Sequence, residues 1–317
     1  MIPDRPPGTS RRPSATGFTL LELMSAIAVL TLLCSLVLQV TSSTTKLSSN
    51  SRESTDCDTE ARYAINQIAA DLAKRVQRSD VSALLQKENV VDDRLYLFSE
   101  TPGYAESIAA ADRSPISLVG YRIRSEGTSI GLQRYARALS WKDDNINPTM
   151  PFVCMSKDPV PSAIPETTLE GAFPGLLRDD PSEDKYYQTI AENVVRIEFS
   201  LIKKPNPDSI SATTATLIDD SEIKKELNQF GFTRISAVVV TLAIMDPQNM
   251  ARISPKNFEA LRNFVSAPNF DTDKGDPGTS GITLPLQTWN EELLRQVKNL
   301  PKPVSAGIHF YQRIISL

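Results

Sequence analysis

One carboxylate stands inside an otherwise apolar stretch of this sequence. From Phe18 to Val40, FTLLELMSAIAVLTLLCSLVLQV, there is no Gly, no Pro and a single charged residue, Glu22. A carboxylate in lipid costs on the order of 2.5–3.5 kcal/mol at a helix centre and less toward an end, so its presence calls for a cation at similar depth. The chemistry open to Glu22 is therefore charge pairing. Material for other chemistry is sparse. The only histidine is His309, which leaves almost nothing from which to build a zinc site or a Ser-His-Asp triad. Beside Phe310 in an expected strand, it reads as a structural or surface residue. Asp271, Asp273 and Asp276 in DTDKGDPG suggest a calcium loop, but an EF-hand wants Gly at its sixth place and Glu at its twelfth. Counted from Asp271 those places hold Asp276 and Ile282, so a solvated turn is the better reading. Cys34, Cys57 and Cys154 lie far apart with no CxxC spacing. Cys57 and Cys154 could pair in an oxidising compartment or stay unpaired as small apolar side chains, and both readings stand. No cofactor and no enzymatic activity are expected.

The apolar run matches the roughly 20 residues needed to cross a bilayer. Arg5, Arg11 and Arg12 precede it against one Asp4, and the next charge after it is Lys46. The positive-inside rule then puts the N-terminus in the cytoplasm and the rest of the chain outside, in a bacterial periplasm. With a net charge of -4 and a pI near 5.3, the chain lacks the basic excess that holds nucleic acid. A small-residue secretory cleavage site is missing from the far end of the run. The near end carries TGFTLLELM, with Gly17 at the boundary, then Phe18 and Thr19, and Glu22 at the fifth place after the glycine. This string resembles the prepilin signal G-F-T-L-x-E. The resemblance implies that a membrane aspartic peptidase cuts after Gly17, that the new N-terminal Phe18 is methylated, and that Glu22, with Thr19 beside it, serves assembly by pairing with the Phe18 amine of a neighbouring subunit. An uncleaved anchor whose Glu22 faces another helix is the plainer alternative, and it leaves Gly17, Phe18 and Thr19 together unexplained. Losing a leader of residues 1–17, with three Arg and one Asp, takes the net charge from -4 to -6.

The elements that must carry this end come next. Residues 18–40 are the expected transmembrane helix and 41–80 its continuation, since no Gly or Pro intervenes before Phe98. At 1.5 Å per residue about 62 residues reach roughly 90 Å. Ala61, Ala64, Ile65, Ile68, Leu72 and Val76 form the stripe of a helix laid on a sheet, with its end near Ser79-Asp80. The Ser/Thr-rich Thr41 to Glu60 has little to bury and is expected to be locally loose. Strands are expected at Arg94 to Phe98, at Ile116 to Arg124 and Ser129 to Arg137 as a hairpin around Ser125-Glu126-Gly127-Thr128, with a bulge at Gly120. Val194 to Ile202 alternates, placing Val195, Ile197, Phe199 and Leu201 on one face. Ile235 to Met245 reads as a central strand and Gly307 to Ser316 as a closing edge strand. Helices are expected from Ser254-Pro255 and from Thr288, where Glu291 completes a capping box ahead of Leu293, Leu294 and Val297. Tyr186, Tyr187 and Trp289 read first as core aromatics and otherwise as a contact surface.

The fold class is thus α+β, a long N-terminal helix on an antiparallel sheet. The order of long helix, GYRIR/GLQRY hairpin, EFSL strand and AVVVTLAI strand resembles the J-type minor pseudopilin of type II secretion systems, and also the prepilin-like proteins of Verru_Chthon cassettes. That resemblance implies a pilin-like fold, residues 81–317 being a periplasmic head enlarged by insertions at about 142–185, 203–231 and 246–303. The extra helices are similar to those of the large K-type tip subunit, which lacks the transmembrane acid that Glu22 supplies here. The implied function is structural: a subunit that enters or caps a periplasmic filament after cleavage by prepilin peptidase, with other pseudopilins or minor pilins and an inner-membrane assembly platform as partners. An adhesin or ligand-binding minor pilin of a surface fibre is the alternative, and an envelope enzyme on a pilin anchor a third.

Overall fold

The computed structural model describes residues 19–78, 81–87, 92–104, 113–126, 129–140, 169–176, 180–205, 216–218, 220–265, 284–296 and 298–317. Gly17, Phe18, Ser79, Asp80, Cys154, Val297 and the DTDKGDPG turn lie outside them. The chain divides into two units, Met1–Arg52 and Glu53–Leu317. Helix α1 (Leu20–Ala73) begins in the first and ends in the second. Within the first, Leu20–Thr45 is long and apolar enough to cross a membrane, because its 26 residues at about 1.5 Å each exceed roughly 30 Å of hydrocarbon. The Ser/Thr-rich stretch is helical, as part of α1. Thr41, Ser43, Thr44 and Thr45 each donate a hydroxyl hydrogen bond of 2.8–2.9 Å to the carbonyl four residues earlier, which satisfies the polar side chains on the helix itself.

In the second unit the stripe of α1 is buried as expected, with Cys57, Ala61, Ala64, Ile65, Ile68 and Leu72 in one core. Val76 and the predicted end are corrected: α1 stops at Ala73, six residues short of Ser79. Three groups take carbonyls of the last turn and of Lys74 just after it. Ser99 Oγ donates to Asp71 O (2.8 Å), Arg75 Nη1 to Leu72 O (2.9 Å), and Glu100 N to Lys74 O (2.9 Å). The chain then runs beside a strand, Val76 N donating to Phe98 O at 2.8 Å, so main-chain pairing rather than Gly or Pro ends the helix.

Strands β1 (Leu84–Gln86), β2 (Arg94–Ser99), β3 (Arg113–Glu126), β4 (Ser129–Ser140) and β5 (Tyr187–Glu192) form an antiparallel sheet in that order. The β3–β4 hairpin forms as expected, but Ser125 and Glu126, expected in the turn, pair with Ile130 and Ser129 in the ladder. Gly120 is not a bulge. It stays in register with Tyr96 and Tyr135, and a Cβ there would lie 2.0 Å from Tyr96 Cδ1, so the missing side chain makes room for a buried ring. The second antiparallel sheet has the order β7-β6-β8-β9, from β6 (Val194–Lys203), β7 (Thr216–Leu217), β8 (Ile235–Met245) and β9 (Ile308–Ser316). The central and edge positions of β8 and β9 match expectation. Val195 does not share a face with Ile197, Phe199 and Leu201: a register shift between Val194 and Arg196 reverses the alternation, and Val194 joins the α1 core in its place.

Asp92 and Asp93 join the sheets. Asp92 Oδ1 accepts from Ile123 N of β3 (2.9 Å) and Asp93 Oδ2 from Phe199 N of β6 (2.8 Å), while Lys87 Nζ lies 3.0 Å from Asp93. Asn193, with φ of 55°, makes the turn from β5 to β6, its N–H donating to Ile130 O (2.7 Å) and its carbonyl accepting from Met245 N (2.9 Å). The insertions, where described, cover what α1 leaves open. Leu169 of α2 (Leu169–Ala172), Phe173 just after it, and Leu176 of the 3-10 turn Pro174–Leu176 pack on Tyr96, Phe98, Leu118, Tyr135 and Leu139 of the first sheet. Ile223 and Leu227 of α3 (Asp220–Phe230) enter the α1 core. Helices α4 (Pro247–Ala251), α5 (Pro255–Val265), α6 (Pro285–Gln296) and α7 (Lys302–Gly307) bring Phe258, Leu261, Trp289 and Val304 onto Val195, Ala243 and Met245 of the second. The start of α5 is as expected, Ser254 Oγ accepting from Asn257 N at 3.3 Å. That of α6 is not. It begins at Pro285, Thr288 lies inside it, and Leu286 N donates to Gln312 Oε1 of β9 (3.0 Å), a cap supplied by another element. Leu294 is 75% exposed, and Pro285, Trp289 and Glu292 are the buried positions.

Candidate functional site

The site that the sequence singles out lies at the start of α1. Thr19 caps the helix: Glu22 N donates to Thr19 Oγ1 (3.3 Å) and to Thr19 O (3.0 Å), and Leu23 N donates to Thr19 O (3.1 Å). Thr19 and Glu22 have the Thr-x-x-Glu spacing of a capping box, a local signal that coincides with the G-F-T-L-x-E string. Glu22 occupies the first turn, where the helix dipole favours negative charge, and its carbonyl accepts from Ser25 Oγ at 2.9 Å. Both side chains are exposed, as are Leu20, Leu21, Leu23 and Met24 around them. The arrangement presents one carboxylate at the rim of an apolar cylinder. It can pair with a cation delivered from outside the chain.

Polar groups in the second unit hold its layers together. Asp71, fully buried on α1, accepts from Arg134 Nε (2.6 Å), Arg134 Nη2 (2.9 Å) and the Tyr121 hydroxyl, which fastens the helix to β3 and β4. Burial, then the Asp71 charge, pushes the Tyr121 hydroxyl well above its ordinary range, so it remains a donor. Tyr311 donates to Asp58 Oδ1 (2.7 Å) and Arg313 Nη1 to Asn66 Oδ1 (2.5 Å), tying β9 to α1. On the other face of the first sheet, the 3-10 turn Pro181–Tyr186 brings Asp184 to Arg122 Nη2 and Arg124 Nη1 (both 2.7 Å) and Glu183 to Tyr135 Oη (2.5 Å) and Arg137 Nη1 (3.2 Å). Burial works against the charge of Asp184, but the bonds from Arg122 and Arg124 hold it below the usual carboxylate range. A small polar cleft beside them is lined by Arg124, Glu126, Gly131, Gln133, Thr189 and Glu192.

Other residues named from sequence fall into packing roles. The Arg122 guanidinium stacks 3.5 Å from the Tyr187 ring, Tyr187 bonds Tyr96 through their hydroxyls (2.8 Å), and Tyr186 packs on Tyr135. Trp289 is buried against Phe310 and beneath Arg196. His309 pairs in register with Ile244. Cys57 is a buried free thiol, pushed up to about 12 by burial and then by Asp246 and its acidic neighbours, and Cys34 is exposed on α1. Among the described residues no group of three or more His, Cys, Asp or Glu side chains could hold a metal ion. No family model, no curated protein and no solved structure matches the chain.

Proposed function

We propose that this chain is a structural pilin-like subunit, a minor pseudopilin of J-type character, that enters or caps a periplasmic filament. The observation that carries the reading is the string Gly17-Phe18-Thr19-Leu20-Leu21-Glu22 at the head of a helix whose apolar side chains are exposed. In this reading a prepilin peptidase removes residues 1–17, lipid covers Leu20–Thr45, and Phe18 becomes a methylated N-terminal amine. Glu22 then supplies the counter-charge for the amine of an adjacent subunit, and the inner-membrane assembly platform and other pseudopilins or minor pilins are the partners. The antiparallel sheets packed on the second half of α1 are compatible with such a head. The N-terminus faces the cytoplasm and the head the periplasm.

Intact-mass measurement of the chain from its native envelope tests the processing step. The expected mass lacks Met1 to Gly17 and carries one methyl group, and Gly17→Val retains the leader. A Gly17→Val chain processed like the parent would remove the basis of the proposal.

A further inference from the structure

The face of the first sheet turned away from α1 carries a cationic site with an occupant already in it. On β3, Arg122 and Arg124 alternate with Tyr121 and Ile123, and on β4, Tyr135 and Arg137 alternate with Arg134 and Ala136, so Arg122, Arg124 and Arg137 stand opposite the α1 core. The sheet itself aims Arg122. Its Nε donates to Gln133 Oε1 (3.1 Å), its guanidinium lies 3.5 Å from the Tyr187 ring, and its side chain is only 2% exposed. The occupant is a pair of consecutive carboxylates from the chain's own turn Pro181–Tyr186. Asp184 Oδ1 accepts from Arg122 Nη2 and Arg124 Nη1 and Asp184 Oδ2 from Arg124 Nη1, all at 2.7 Å, while Glu183 accepts from Tyr135 Oη (2.5 Å) and Arg137 Nη1 (3.2 Å). The two sides of this contact are unequal. The cations are built into β3 and β4, whereas the turn buries none of its residues and leaves Asp184 33% exposed. Ion pairs open to water stabilise a fold little, and desolvating a guanidinium costs more than such a pair gains. Holding down a surface turn therefore does not account for a nearly buried Arg122 aimed in advance by Gln133 and Tyr187, and recognition of an anion does.

We propose that this face is a recognition site for an acidic segment of a partner protein, two consecutive carboxylates in a turn, and that Glu183-Asp184 occupies it as an internal competitor. The partner's chemistry is read from the occupant: one carboxylate bridges Arg122 and Arg124, and the one before it reaches Tyr135 and Arg137. The partner enters as the turn lifts. Leu169, Phe173 and Leu176, which precede the turn, keep their own apolar contacts with the sheet when it does so. A turn tethered at both ends presents its carboxylates at an effective concentration on the order of millimolar or more, so a free acidic peptide competes poorly until the turn is neutralised. The inference does not rest on the filament reading.

The probe is a fluorescently labelled peptide of the turn's own sequence, DPSEDKYY, titrated by anisotropy into the full chain in detergent micelles. The double variant Glu183→Gln, Asp184→Asn should bind it at least about tenfold more tightly than the parent. Salt should weaken that binding, and adding Arg124→Gln to the double variant should reduce it by at least about tenfold. The parent gives an answer of its own by hydrogen exchange, even where the double variant fails to melt cooperatively. Excess peptide should speed exchange at the Tyr187 amide, which donates to Asp184 O across the end of the turn, and a peptide with Gln and Asn in place of its Glu-Asp pair should not. A folded double variant that binds no better than the parent, equal binding of the acidic and neutralised peptides, or an unchanged Tyr187 amide in the parent overturns the proposal. So does inorganic phosphate that displaces the peptide at equal concentration, since the site would then hold a small anion and not a protein segment.

Discussion

Glu22 and Asp71 sit on the same helix and do opposite things with a carboxylate. Glu22 is exposed in an apolar segment, with the helix terminus and Thr19 as its local company. Glu22→Leu removes the cost of a charge in lipid, so membrane retention and cleavage after Gly17 should persist. On the proposed reading, cross-linking to partner subunits should be lost, because the Phe18 amine of an adjacent subunit would then meet no counter-charge in a low dielectric. Glu22→Asp is the control that keeps the charge, and undiminished cross-linking by the Leu variant would mean that Glu22 does not carry assembly. Asp71 is buried and satisfied three times over by Arg134 and Tyr121. Asp71→Leu strands the Arg134 guanidinium beneath the helix and should cost about 3–5 kcal/mol in urea unfolding, whereas pairing it with Arg134→Met should recover a large part of the loss. A double variant no more stable than the single one would show that the guanidinium is not what makes Asp71 necessary. Gly120→Ala is the steric counterpart. Its Cβ would press on Tyr96, whose hydroxyl is held by Tyr187 and by Leu176 O, so the ring cannot swing away, and a loss of about 1–3 kcal/mol is expected.

The acidic turn Pro181–Tyr186 shows how an inserted element earns a place in the fold. Leu169, Phe173 and Leu176 supply its apolar grip, and Glu183 and Asp184 supply charge for Arg122, Arg124 and Arg137. Since Asp184 is held below the ordinary carboxylate value of 3.8, its contribution is complete above that value and is lost as pH falls through its lower folded value. Near-UV circular dichroism of the Tyr186/Tyr187 region should therefore change on acidification below that point, and Asp184→Asn should show the altered signal already at neutral pH. An Asn variant with the parent's spectrum and acid profile would mean that this ion pair does not hold the turn. None of this was legible beforehand. The α1 stripe, the β3–β4 hairpin and the strands β6, β8 and β9 are legible in the sequence because each declares itself by local periodicity. What depends on distant partners is not legible: the end of α1, made by Ser99 of β2 and by Glu100 just after it; the start of α6, capped by Gln312 from β9; and the face of Val195, reversed by a shift in pairing. At the candidate site Glu22 was readable as a lone charge in an apolar run, and the Thr19 cap was readable too, since it is local, but it was hidden under a motif that already accounted for both residues.

For the whole molecule, the question is where the fold of the second unit begins along α1. Its core takes Cys57, Ala61, Ala64, Ile65, Ile68 and Leu72 from the helix, and apolar side chains from both sheets and α3 complete it. The large apolar residues of Leu20–Thr45 are exposed and give that core nothing. Removing residues 1–43 should accordingly yield a soluble chain that melts cooperatively, since every buried residue of the core is retained. Removing residues 1–72 should not. Ile65, Ile68 and Leu72 each bring about 1.5–3 kcal/mol of burial, and Asp71 leaves with them, so the loss is comparable to the roughly 5–15 kcal/mol by which a domain of ordinary stability is held. Scanning calorimetry of the two truncated chains checks this. A shorter truncation that aggregates under every condition, with no cooperative transition, would show that the anchor is part of the folding unit. A longer truncation that melts like the shorter one would show that the sheets and insertions close a core without α1.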